Sequence, residues 1–163
     1  MIIDNNLILS GSVSGNTWTG QTVTGTNTSV LSTNTIDLAP LTIGGNQPID
    51  MGQGESLEVL IEVTTAASGG TSVQFQLIEA DDAALTTNVQ VIVQTDAIAV
   101  ATLTAGTLIP LHYDRAAPYA PRRYIGLRYQ LVGAVAAGAY IGTIVKNVQD
   151  AKNIYFNSGF SIK

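Results

Sequence analysis

Apolar and polar residues alternate with a period of two along much of this chain. In "ESLEVLIEV", Leu57, Val59, Ile61 and Val63 fall on one side, with Ser56, Glu58 and Glu62 on the other and Leu60 out of step. In "TSVQFQLIE", Val73, Phe75 and Leu77 share a face opposite Gln74 and Gln76, and "NVQVIVQ" repeats the pattern with Val89, Val91 and Val93. "RYIGLRYQL" sets Ile125, Leu127, Tyr129 and Leu131 against Tyr124, Gly126, Arg128 and Gln130. A side-chain period of two is that of a strand with one buried face. Turn signals separate these runs: "TIGGNQP", "DMGQGE", "ASGGT" and "ADDAA". No segment sustains a helical i, i+3, i+4, i+7 pattern, although "DDAALTT" has room for one helical turn. Many short strands joined by Gly-rich turns predict an all-β fold, a jelly-roll-like β-sandwich. The length, 163 residues, suits one domain, in which roughly 70% of the unfolded chain's surface can be buried.

Two segments stand outside the alternation. Residues 11–31 are rich in Thr, Ser, Gly and Asn, with Trp18 and Val23 among a few larger apolar groups, and read as an inserted polar hairpin or loop. Residues 147–163 read as a C-terminal extension carrying Ile154, Tyr155, Phe156 and Phe160 on a polar background. An apolar cluster on such a tail marks a contact, so the tail is expected to be an arm on another subunit. The competing reading makes it a last strand of the chain's own sheet.

Charge alters the picture in two ways. Charged residues make up only 12%, against about 25% in an ordinary soluble domain, and mean hydropathy is +0.26. Such a surface is expected to be covered in part by another chain. The charge is also divided along the sequence. Residues 1–114 hold 11 of the 12 acids and no Lys or Arg, and residues 115–163 hold all 7 basic residues with Asp150. There are no cysteines, which removes disulfides, thiolate nucleophiles and Cys-based zinc sites. The acidic start "MIIDNN" lacks the basic region of a signal peptide, and no apolar run reaches the ~18 residues of a membrane span.

Candidate chemistry is sparse. His112 is the only histidine, it closes a strand-like segment, and no G-x-S-x-G elbow accompanies it. Glu79, Asp81 and Asp82 form an acidic turn without the D-x-D-x-D-G spacing of a calcium loop. The Gly-rich stretches lack the GK[ST] of a phosphate loop. No catalysis, metal or cofactor is expected. The arginines are the remaining cluster: Arg115, Arg122, Arg123 and Arg128 lie within "HYDRAAPYAPRRYIGLRYQL", where Pro118 and Pro121 stiffen a loop ahead of the last strand-like run. A chain of pI near 4.5 repels phosphate, so nucleic acid is not the expected partner. Arg128 either pairs with a Glu of a neighbouring strand, such as one in Ser56–Glu62, or offers its fork to a partner's carboxylate. Arg115 and Arg122 are expected to meet a partner. The residues expected at a partner interface are thus Arg115, Arg122, Arg123, Arg128, Trp18, Tyr155, Phe156 and Phe160.

An ordered set of segments resembles the small capsid cement, or decoration, proteins of tailed bacteriophages, of the Bordetella-phage type. It runs "MIID", "LILS", "STNTIDL", "IGGNQPIDMGQGESLEVLIEV", "VQFQLIEADD", "TLTAGTLIPL" and "RRYIGLRYQLVGA", and covers most of residues 1–10 and 32–146. The resemblance implies a jelly-roll-like sandwich on the outside of an icosahedral capsid, made in the bacterial host's cytoplasm. It further implies that the protein bridges major capsid protein subunits as a homodimer or homotrimer, without catalysis, membrane or nucleic acid. A carbohydrate- or receptor-binding β-sandwich of a fibre or adhesin is the alternative, with Trp18 and the tyrosines near 113–129 as its aromatic platform. An enzyme built around His112 is the third reading.

Overall fold

The computed structural model describes residues 5–15, 17–38, 57–113 and 122–145. Arg115, the Pro118–Pro121 loop, the turns within 41–56, Tyr155, Phe156, Phe160 and the whole of 147–163 lie outside the described residues. Fourteen strands follow one another: β1 (Ile8–Ser10), β2 (Ser12–Ser14), β3 (Thr17–Thr19), β4 (Gln21–Thr22), β5 (Gly25–Thr26), β6 (Ser29–Leu31), β7 (Ile36–Asp37), β8 (Leu57–Gly69), β9 (Ser72–Ala80), β10 (Gln90–Gln94), β11 (Ile98–Ala99), β12 (Leu108–Tyr113), β13 (Tyr124–Val132) and β14 (Ala134–Val145). Two 3-10 turns, Asn5–Leu7 and Val100–Thr102, are the only helical segments among the described residues.

The all-β expectation holds. One long antiparallel ribbon organises the molecule. β8 and β9 form its first arm and β13 and β14 its second. Tyr124 pairs with Ala80 at one end, Val132 with Ser72 near the middle, and Val145 with Glu58 at the other end. The ribbon folds over itself at a corner where Gly69, Gly70 and Gly133 take φ of +69°, +66° and +80°. These positions exclude side chains twice over. The left-handed backbone disfavours a Cβ, and a Cβ on Gly133 would lie 2.9 Å from Gly70 Cα. Folding the ribbon makes two stacked sheets, ordered β1-β14-β8-β12 and β10-β9-β13-β6. β4 and β5 also pair with β14, β7 with β13 and β11 with β9. Pro110 lies in β12, at the end of its sheet's strand order, where a missing N–H costs no ladder bond.

The inward faces are those the alternation predicts. Val59, Ile61 and Val63 from β8, Val73, Phe75 and Leu77 from β9, and Ile125, Leu127, Tyr129 and Leu131 from β13 are all buried in one core. The side chain of Leu57 lies outside the described set. Phe75 meets Tyr129 and Tyr140 edge-on, with centroids 5.6 and 5.1 Å apart, and the two tyrosine rings stack at 5.4 Å. Edge and offset contacts of this kind suit the ring quadrupoles and add to the area buried.

Three sequence expectations change. Leu60, out of step on the outer side of β8, is not exposed; it is buried with Val145, against Leu108. Val89, Val91 and Val93 do not share a face. A bulge between Val91 and Val93 shifts the register, so Val89 and Val91 pack on Ile78, Ala80 and Leu85, while Ile92 and Val93 pack on the main core. The segment 81–88 is a non-helical turn. The Asp82 carboxylate accepts the Thr86 and Thr87 N–H groups at 2.9 and 2.6 Å, which holds Leu85 at φ +57°. Leu85 thereby reaches back over Gly126, where a Cβ would stand 2.3 Å from Leu85 Cδ1.

Candidate functional site

The polar side chains singled out in the sequence fall into three places. The first is where β13 begins. Arg122 donates from Nη1 to Asp81 Oδ1 at 2.8 Å, and its backbone N–H reaches Glu79 Oε2 at 3.1 Å. Arg123 forms a two-pronged pair with Asp37, Nε to Oδ1 and Nη2 to Oδ2, both at 2.8 Å, and lies 5.0 Å over the Tyr124 ring. The topology explains this meeting: β7 and β9 flank the start of β13, so their terminal acids converge on residues 122–123. Hydrogen bonds from Asn88 and then Arg122 hold the Asp81 carboxyl below its ordinary value, and those from Thr87 and Thr86 do the same for Asp82. The hydrogen bonds that Arg123 donates to Asp37 raise its guanidinium above the ordinary value. The acidic turn is therefore a structural device. Its carboxylates cap a turn and tie down β13.

The division of charge along the sequence is resolved at this point. Arg122 and Arg123 of the basic segment meet acids of the acidic segment within one fold. Arg122 and Arg123, expected at an interface, have carboxylate partners inside the chain. Signals for this existed, because Asp37, Asp81 and Arg122–Arg123 all sit at strand ends, but only the strand order brings them together.

The second place is the outer face of the β10-β9-β13-β6 sheet. Arg128 does not pair with a Glu of Ser56–Glu62, because that strand is in the other sheet. Its neighbour is Gln76, whose Oε1 accepts the Arg128 Nε–H at 2.6 Å. Gln76 Nε2 in turn donates to Gln94 at 2.7 Å and to Gln74 at 3.3 Å, and Gln74 donates to the Thr95 carbonyl at 2.8 Å. The amides are thus oriented in a row across three strands. The sequence reading did not single out these glutamines, although their period of two on β9 was the available signal.

The third place is the hairpin β2–β3, in which Trp18 stands opposite Val13 and is 40% exposed. The polar segment 11–31 is a projecting hairpin only in this part. Residues 20–31 return to the body. Val23 is fully buried, β4 and β5 pair with β14, and β6 pairs with β13. Gln21 secures the root by accepting from Ser10 and the Thr33 N–H, both at 2.8 Å, and donating to the Leu31 carbonyl at 2.7 Å.

His112 is the penultimate residue of β12, near the strand end as expected, and its Nδ1 lies 2.9 Å from Glu58 Oε1 on the adjacent strand. Its side chain is mostly exposed, and its geometry is that of a cross-strand pair. Among the described residues no group of three or more His, Cys, Asp or Glu is placed to hold a metal ion. No helix of the described residues is long and apolar enough to cross a membrane.

The model of the Bbp16 family matches residues 18–144, from the exposed Trp18 through most of β14. The matched range includes 18–31, most of the segment read as an insertion. No curated protein matches the chain.

Proposed function

Because the chain belongs to the Bbp16 family, whose name suggests a Bordetella phage protein, we propose that it is a capsid cement protein, a structural component without catalytic activity. It binds the outside of a tailed-phage shell and bridges neighbouring major capsid protein subunits, as a homodimer or homotrimer. The observation that carries this reading is the extent of the family match. It spans most of both sheets of the sandwich and takes in every segment resembling cement proteins except "MIID" and "LILS". The fold suits the task. A ribbon closed on itself and tied at its strand ends is a stiff spacer, and stiffness turns each added contact into bridging. Copies that each touch two subunits make the second contact effectively intramolecular. Binding the assembled shell, and not its separate subunits, stabilises the shell by mass action. The test is to add purified protein to expanded shells built from the phage's own capsid subunit. Saturable binding with a raised shell melting temperature supports the proposal, and absence of binding refutes it.

A carbohydrate- or receptor-binding role is the second reading, favoured by the exposed Trp18 on its hairpin. Glycan-array binding that disappears in Trp18→Ala is the result that would put it first.

A further inference from the structure

Among the described residues, three arginines are present, and two of them are matched by carboxylates. Arg128 is the exception. Its Nε is held by Gln76, while its two Nη groups make no hydrogen bond among the described residues, and the residue is half-buried. The face around it is unusual for so acidic a chain. Strands β6, β9, β10 and β13 contain one carboxylate, Glu79, which is buried and accepts the Arg122 N–H. The outer side of β8, in the other sheet, carries Glu58 and an exposed Glu62 instead. Along β13 the outward positions change in character. Tyr124 packs with the Leu85 cluster, Gly126 is covered by Leu85, and Arg128 is the first open position, followed by Gln130 and the half-exposed Val132.

We propose that this face, centred on Arg128, is a docking surface for a carboxylate-bearing segment of the shell subunit, with Arg128 Nη1 and Nη2 as the fork that receives the carboxylate. The proposal rests on the cement reading and names the surface and the chemistry of its contact. Charge complementarity carries it. Gln76 holds the guanidinium at its Nε, which lowers the entropic cost of a further contact, and a carboxylate matches the geometry of the remaining donors. A second copy of this chain fits less well. A two-fold contact centred on Arg128 would set Arg128 against Arg128, and of the acids on the other sheet Glu58 already lies against His112. A phosphate backbone calls for a basic patch, and this face has one open cation on a chain of net charge −5.

The experiment titrates full-length protein onto shells assembled from the phage's own capsid subunit. Arg128→Glu and Arg128→Gln should each weaken apparent binding by roughly tenfold or more, while circular dichroism and the melting temperature of the free protein stay close to wild type. Glu62→Arg, on the opposite sheet, should bind within about twofold of wild type. A photo-crosslinker replacing Gln130 in otherwise unaltered protein should capture a shell-subunit peptide containing Asp or Glu. Wild-type binding by the Arg128 variants, an equal loss in Glu62→Arg, or crosslinks only between copies of this chain would each overturn the docking surface and leave the cement reading standing. Failure of the wild-type protein to bind shells would remove the cement reading and the docking surface with it.

Discussion

Tyr129 and Tyr140 place two phenol groups at the centre of an aliphatic core. Both hydroxyl oxygens are buried without a hydrogen bond of good geometry among the described residues. Burial raises both, Tyr140 to about 12 and Tyr129 further, with the nearby Ser10 partly offsetting the effect at Tyr129. An unsatisfied buried hydroxyl costs roughly 1–3 kcal/mol, so Tyr129→Phe and Tyr140→Phe should leave stability unchanged or raise it by up to that amount in urea unfolding. A clear loss in either variant would mean that the hydroxyl has a partner. Truncating the ring that meets both edge-on has the opposite sign. Phe75→Ala removes the edge-on contact to both tyrosines and should cost roughly 3–5 kcal/mol. Gly133→Ala meets both a positive φ and the Gly70 backbone, and should cost roughly 1–3 kcal/mol in the same assay.

At the scale of elements, the strands and their inward faces were legible because alternation encodes burial directly, and "RYIGLRYQL" and "TSVQFQLIE" fold as read. Leu60 and the valines of "NVQVIVQ" were not legible, because a strand's outer face can be buried by other parts of the chain and a bulge reverses the alternation within one residue. The partners of the arginines were hidden for a different reason. Pairing Arg123 with Asp37 requires the strand order, which no local pattern contains. The terminal acids also make the turn sensitive to pH. Asp81 and Asp82 are held below their unfolded values, so the stability they contribute is present above pH ~4 and is lost as pH falls through their lower folded values. The buried tyrosines act at the other extreme. Their raised values contribute stability that is present below pH ~10 and is lost as pH rises through about 12 and beyond. Melting temperatures across the acid limb should fall less steeply in Asp82→Asn than in wild type, and a parallel fall would assign the acid sensitivity to other groups.

For the molecule as a whole, composition and topology suggest a division of labour between two faces. One sheet carries Glu58 and Glu62 outward, and the other carries an oriented amide row with one open guanidinium. A sandwich closed by a single folded ribbon keeps these faces in fixed relation, which a bridging protein requires. The low charge content first suggested that another chain covers part of the surface, and the face around Arg128 is where the contact is assigned. The measurement that tests the central claim most directly is co-sedimentation of the purified protein with expanded shells of its own phage, at increasing protein concentration. The account predicts saturation at a copy number comparable to that of the capsid subunit, together with a higher shell melting temperature. Protein that remains in the supernatant at every concentration, with the shell melting unchanged, would contradict it.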